Sequence, residues 1–350
     1  MSGAWESRGL MRRLFEATSL DEMATAPKIA VYIILTFWTL VVLFPLYWVL
    51  VTSFKIEVQV DSGPYFIPFV DFKPTLEAWD FMLVKNNTIG PYLNSLVVAL
   101  SSTVLAILIG TPAAYALVRI KFEVKIAAIL TFVVLLIAVI VAVATLGVPW
   151  QAALAIAAAL FVLSLGTFVR RFKAAVGNND IEFWMISNRI MPPIVAVLPI
   201  YVMFQSLRLL DTQFALVATY TGVNLPIVVW LTRDFFASVP IDLEESAEID
   251  GASKFRVFFT IALPLVRSGL AATFMLVLIL SWNEFLLALF LTNANAQTMP
   301  VLVAAQNTTR GPQWWYMSVL IVIMIAPVIV IAAFLQKHIA RGLLVGAVKG

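Results

Sequence analysis

The 350-residue sequence contains no cysteine and a single histidine, His338. Without cysteine there is no disulfide, no thiolate metal site and no thiol redox chemistry. One histidine excludes His-based triads and multi-histidine metal sites. No G-x-x-x-x-G-K-[ST] stretch occurs, so the chain does not bind ATP through a P-loop. Charge is scarce as well. Charged residues make up 12% of the chain, against about a quarter in soluble domains. Within the apolar runs the ionisable groups are few, chiefly Arg189 and Glu284. Solute transporters driven by protons or ions need a denser set of buried charges. Any energy for work at a membrane therefore comes from outside this chain. No catalytic, cofactor-binding or metal-ligating set is expected, and the net charge of +3 does not suggest nucleic acid. There is no short-period repeat and no low-complexity segment.

What is present is apolar. Hydrophobic residues make up 62% of the chain and the mean hydropathy is +0.97. Runs of about 20 apolar residues cross the hydrocarbon core as helices, because lipid offers the backbone no hydrogen-bond partners. Eight such runs are expected, at 29–53, 91–117, 126–148, 150–169, 183–207, 214–236, 269–291 and 314–336. They are continuous rather than alternating, which excludes a β-barrel. The fold class is an all-α polytopic membrane protein with about eight transmembrane helices. The first run is too long for a signal-peptide core and no small-residue cleavage pattern follows it, so it reads as an uncleaved helix.

Lysine and arginine set the orientation. With the N-terminus inside, the inner segments hold 17 basic residues and the outer segments five: Lys55, Lys73, Lys85, Arg208 and Arg310. The bias recurs at every inner segment, which puts both termini in the cytoplasm. The expected organisation is a cytoplasmic segment 1–28, a first helix 29–53, an extracytoplasmic loop 54–90, a membrane domain 91–336 and a cytoplasmic tail 337–350. The loop 54–90 carries Pro64, Pro68 and Pro74 and reads as irregular. The runs 126–148 and 150–169 are almost wholly aliphatic and are joined at Gly147-Val148-Pro149. They read as a lipid-facing hairpin within 125–178.

One stretch breaks the apolar pattern. PIDLEESAEIDGASKFRVFFTIALP, from Pro240 to Pro264, places Asp242, Glu244, Glu245, Glu248 and Asp250 within nine residues. Pro240 suits the first turn of a helix, and Asp242, Glu244 and Glu245 suit its positive dipole end. Gly251 fits a left-handed C-terminal cap. From Ala252 onward, Phe255, Phe258 and Phe259 make an apolar face that can rest against membrane helices. Topology requires no acids on this side, and anionic headgroups repel them. A basic groove on a cytoplasmic partner accounts for them better.

This loop resembles the EAA coupling loop of ABC-importer permeases, with Glu245-Ser246-Ala247, then Gly251, then Ile261 and Leu263-Pro264 at every required spacing. Ser246 alone departs from the pattern, and a small residue is kept. YLNSLVVALSSTVLAILIGTPAAYALVRIKF (92–122), RIMPPIVAVLPIY (189–201), LLDT (209–212), NLPIVVWLTRDFF (224–236), SWNEFLLALFLT (281–292) and GAVKG (346–350) resemble the smaller permease of maltose- and trehalose-type importers. The resemblance covers about 29–124 and 179–350. It breaks at the hairpin, so eight helices read as a six-helix type I core plus an insert.

The resemblance implies a permease subunit of an ATP-driven, binding-protein-dependent importer of a sugar or polyol in a bacterial-type inner membrane. It implies four kinds of partner: a second permease, two cytoplasmic ATPases carrying ATP-Mg, an extracytoplasmic solute-binding protein and the lipid bilayer. The chain itself binds no cofactor and is not an enzyme. The coupling loop 238–268 would act through Glu244, Glu245, Ser246, Ala247, Asp250, Gly251, Ala252, Ile261, Leu263 and Pro264. Asn94, Asn224, Asn283 and Glu284 are polar groups at membrane depth that could line a solute path, with Trp282 as an aromatic face. Each is also suited to helix–helix hydrogen bonding. A permease for a non-sugar solute, or a secondary transporter without ATPases, is the alternative. The sugar-type segments disfavour the first, and the acidic loop the second.

Overall fold

The computed structural model describes residues 25–309 and 311–347, with the side chains at 144, 188–190 and 335–347 outside that description. Most of the N-terminal segment 1–28, the end of the tail Gly346–Gly350, and the side chains of Arg189 and His338 therefore lie outside the described residues. The chain divides into two units, Met1–Gly90 with Leu302–Pro327, and Pro91–Val301 with Val328–Gly350.

The first unit contains helix α1 (Thr25–Thr52), whose side chains are exposed along most of its length. A helix with aromatic and aliphatic residues on all faces is suited to lipid. The segment after it is irregular, with short helices Glu57–Asp61 and Glu77–Asp80 and a π-helical turn Phe81–Lys85. Lys55 is its centre, only 1% exposed. Its Nζ donates to the Tyr65 carbonyl at 2.7 Å and lies 4.2 Å from the centre of the Trp48 ring. Burial lowers the Lys55 pKa, and the Asp71 carboxylate opposes that shift. Asp71 in turn accepts from the Ile67 and Phe66 N–H groups, which hold its carboxyl below the usual range.

The second unit carries α2 (Ile89–Arg119), α3 (Ile126–Leu146), α4 (Trp150–Gly166), α5 (Asn178–Ile190), α6 (Pro193–Ser206), α7 (Gln213–Ala237), α8 (Ile241–Ile249), α9 (Lys254–Leu265), α10 (Arg267–Trp282), α11 (Leu286–Leu291) and the end of α13. Helix α12 (Met299–Ala304) and helix α13 (Trp314–Ala347) each contribute to both units. Among the described residues, six helices are long and apolar enough to cross a membrane, and α9 with α10 makes a seventh if that bent pair is one span; α6 is a shorter apolar helix.

Two of the eight expected runs are interrupted. The run 183–207 divides at Met191, which takes an extended conformation before Pro192 (φ −66°, ψ 130°). A residue before proline is pushed out of the α region, and here two prolines follow in succession. The run 269–291 divides at Asn283–Phe285. There Glu284 Oε1 accepts from the Leu287 N–H at 3.0 Å and caps the first turn of α11.

Helices α3 and α4 form the aliphatic hairpin. Gly147 closes α3 in the left-handed region (φ 65°), and Pro149 precedes α4. Both helices are largely exposed. At the base, strand β1 (Val124–Lys125) pairs antiparallel with β2 (Ala175–Val176). Asn178 locks this clasp to the end of α2, donating to the Leu117 and Ile120 carbonyls at 2.6 and 2.7 Å and accepting from the Phe122 N–H.

Core packing centres on α7. Val98, Val197, Phe204, Leu216, Tyr220 and Leu287 form one buried cluster. Tyr115, Val229, Phe236, Phe258 and Val266 form another, nearer the acidic loop. Glycine allows the close approaches. A Cβ at Gly110 would lie 2.6 Å from Val228, and one at Gly269 would lie 2.3–2.5 Å from the Phe235 ring.

Candidate functional site

The acidic loop begins where α7 ends. Pro240 caps α8 from an extended-type conformation, and Asp242 and Glu244 occupy its first turn. The C-terminus closes as the sequence expects. Gly251 has φ 85°, its N–H donates to the Glu248 carbonyl, and the Ala252 N–H donates to the Ala247 carbonyl at 2.9 Å. This paired pattern is a Schellman cap, which needs a left-handed residue at that position. Ser253 then caps α9, accepting from the Arg256 N–H.

Helix α9 contains a π-helical turn, Phe258–Ala262. Pro264 has no N–H to give and its ring crowds the preceding turn, so the ladder shifts and the Leu263 N–H reaches back to Phe258. At Val266 the chain bends by 76° into α10. Ile261 and Leu263 are half-buried in this joint, whereas Pro264 is exposed.

The acids do not act alike. Asp242, Glu245 and Asp250 are exposed, and Glu248 pairs with Lys254 at 3.2 Å. Ser246 is exposed and donates to the Asp242 carbonyl, while Ala247 and Ala252 are half-buried. Glu244 points inward and is only 4% exposed. Its Oε2 accepts from the Tyr115 hydroxyl at 2.7 Å, and its Oε1 from Arg119 Nε at 2.9 Å. An Arg119 terminal nitrogen also donates to the Phe236 and Val239 carbonyls, at 3.2 and 2.8 Å. Glu244 is thus committed within the chain, and the outward acids are the ones a partner can meet. A buried carboxylate is tolerable only with such pairing.

The expected phenylalanine face is divided in the same way. Phe258 is 7% exposed and packs against Tyr115 at 5.0 Å, whereas Phe255 is 80% exposed and Phe259 is also exposed. Val257 and Ala262 take the inward positions beside Phe258, so the buried face lies to one side of the expected one. Phe255 and Phe259 line an apolar groove of about 730 Å³ with Leu108, Pro112 and Leu263. On α8, Ile249 is 87% exposed and Leu243 is exposed beside the acids. The outer surface of this helix is therefore mixed acidic and apolar.

The five solute-path candidates are not brought together as one polar surface. The Asn94 amide donates to the Asn295 and Gln297 carbonyls, and its Oδ1 accepts from Gln213 Nε2. Asn224 donates to Ser281 Oγ at 3.0 Å. Both are buried; Asn224 joins two helices, whereas Asn94 ties α2 to the segment before α12. Trp282 is buried edge-on to Tyr92. Asn283 is exposed and donates back to the Ile279 carbonyl. Glu284 alone of the five lines a cavity of about 600 Å³, with Trp184, Met191, Pro193, Gly222 and Pro226.

Two residue groups with structural roles lie outside the expected site. Tyr115 and Arg119 hold the acidic loop from α2. Asp211 organises the opposite turn. It sits at φ 58° and accepts from the backbone N–H groups of Asn293, Ala294, Asn295 and Ala296. Burial pushes its carboxyl up, but these four donors outweigh burial and hold its pKa at about 2. The sequence signal was present in LLDT (209–212), but only as part of a resemblance.

Residues 165–345 match the family model described as the binding-protein-dependent transport system inner membrane component. The chain is 32% identical over 316 residues to a probable ABC transporter permease protein, y4oR, of Sinorhizobium fredii, covering 89% of this chain and 94% of that one. It is 31% identical to the trehalose/maltose transport system permease protein MalG of Thermococcus litoralis, covering 89% and 93% respectively. In fold it is similar to a chain of a bacterial ABC transporter involved in the import of the acidic polysaccharide alginate, with a TM-score of 0.55, 20% identity and coverage of 89% and 95%. The acidic interruption, the apolar helices and these likenesses agree: the chain belongs to the family of binding-protein-dependent transport system inner membrane components, the ABC-importer permeases.

Proposed function

We propose that this permease carries a sugar or polyol, that its energy comes from ATP-Mg hydrolysed on two separate cytoplasmic ATPase subunits, and that α8 is the element those subunits move. A second permease completes the pathway, and an extracytoplasmic binding protein delivers the solute. Both termini and the acidic loop face the cytoplasm in this reading. The carrying observation is α8 itself. It is a short helix with a Schellman-capped end, exposed carboxylates at Asp242, Glu245 and Asp250, and an exposed Ile249. That surface suits a basic-rimmed apolar groove on a partner. Glu245 meets a base there, Gly251 permits the turn, and Ile261 and Leu263-Pro264 join the loop to α10.

The sugar cargo is supported by the likeness to the trehalose/maltose permease. Within the membrane, Glu284 is the expected path residue that a solute can reach, since it lines the cavity beside Trp184. An aromatic face and a carboxylate are the groups that hydroxyl-rich rings bind. Asn283 is exposed nearby in sequence, whereas Asn94, Asn224 and Trp282 support the packing around it.

Gly251→Pro and Glu245→Lys test the coupling role. Each variant is expected to reach the membrane and to lose solute uptake while the ATPases remain able to hydrolyse ATP. Full uptake by both variants in vesicles holding the whole transporter would remove α8 from the mechanism.

A further inference from the structure

The acidic loop is joined to the membrane helices at three places. At its start, residues 238–240 connect the end of α7 directly to α8. A second covalent joint runs through α9 into α10. It contains the π turn Phe258–Ala262 and the 76° bend at Val266. The third joint is the buried cluster of Glu244 with Tyr115 and Arg119. It reaches one further spanning helix, α2, and ties it to the end of α7. Tyr115 and Arg119 belong to α2, and Arg119 also binds carbonyls at and just beyond the C-terminal end of α7.

From this geometry we infer that Glu244, Tyr115 and Arg119 are positioning residues for coupling: they pass movement of α8 to α2, in parallel with the covalent paths to α7 and α10. The inference rests on the ATPase-docking role proposed for α8. Three features carry it. Both Glu244 oxygens are used, by donors on one helix. The cluster is buried, so water offers no cheap alternative partner when α8 shifts. Arg119 spans the loop and the end of α7 with one guanidinium, whose planar fork holds several acceptors in fixed directions. A displacement of α8 therefore either moves α2 with it or breaks a buried charge pair, and breaking such a pair is the costlier event.

The native absence of cysteine provides the test. Leu108 lies on α2, is 64% exposed and lines the 730 Å³ groove. Leu108→Cys thus gives a single thiol in this chain. The whole transporter is reconstituted, and maleimide labelling of that thiol is measured with and without ATP-Mg and vanadate. In the otherwise unaltered chain the rate is expected to change with nucleotide. Adding Glu244→Gln or Tyr115→Phe should leave ATPase co-purification intact and weaken the nucleotide response about tenfold, the order of one lost hydrogen bond to a charged group.

A merely structural role would lower the amount of assembled complex without weakening the response of what remains. An undiminished response in both variants overturns the inference, as does a parent chain whose thiol ignores nucleotide with ATPase bound. Loss of the chain from the membrane in both variants assigns the trio to folding and overturns it too. Failure of any ATPase to co-purify with the unaltered chain instead overturns the underlying reading of α8.

Discussion

Asp211 shows how one side chain can hold a loop that has no secondary structure. Its carboxylate gathers the N–H groups from Asn293 to Ala296, and Asn295 Nδ2 as well. The sign of its pH dependence follows from the depressed pKa of about 2. The ordinary aspartate value is about 3.9. Stability from this group is fully present above the ordinary value and is lost as pH falls through the folded one. Asp211→Asn is therefore expected to lower the melting temperature of the purified protein at neutral pH. The gap from the unaltered chain should close between pH 4 and pH 2. A gap that stays constant through that window would show that the charge is not what holds the turn.

At the scale of elements, the packing around α7 depends on missing side chains. Gly269 on α10 lies against the Phe235 ring, and Gly110 on α2 against Val228. The Gly269 contact involves the root of the ring, so turning the ring about its own axis cannot relieve it. Gly269→Ala should destabilise the helix pair by about 1–3 kcal/mol, the usual cost of overpacking. Thermal unfolding in detergent measures this, and Gly269→Ala combined with Phe235→Leu should recover part of the loss. The hairpin of α3 and α4 is the contrasting case. At its base it is fastened to the end of α2 by the β1–β2 clasp and the Asn178 hydrogen bonds.

For the whole molecule the decisive quantity is orientation. The proposed orientation, with the acidic loop on the cytoplasmic side, rests on the bias of seventeen basic residues against five. Single cysteines in place of Lys254, which is exposed on the loop, and Lys85, in the segment before α2, report it directly. In intact cells a membrane-impermeant maleimide is expected to label the cysteine at 85 and to spare the one at 254. The reverse pattern would place α8 away from cytoplasmic ATPases and end the proposed mechanism. Because the chain lacks its own P-loop, transport by the purified subunit alone in vesicles would do the same.

By itself the sequence determined the lipid environment, the all-helical class, the importer family and the turn at Gly251. These depend on composition, run length and local backbone preference, each readable over a few tens of residues. The Met191 break also had a local cause, in Pro192 and Pro193, although run length alone suggests one continuous helix. Tertiary structure decided which acids face out. Glu244 and Glu245 are neighbours with the same chemistry, yet one is buried against Tyr115 and Arg119, some 125 residues away, and the other is exposed. It likewise decided that Asn94 and Asn224 serve packing while Glu284 reaches a cavity. A polar side chain at membrane depth must find a partner, and which partner it finds depends on how distant helices pack rather than on its neighbours in the chain.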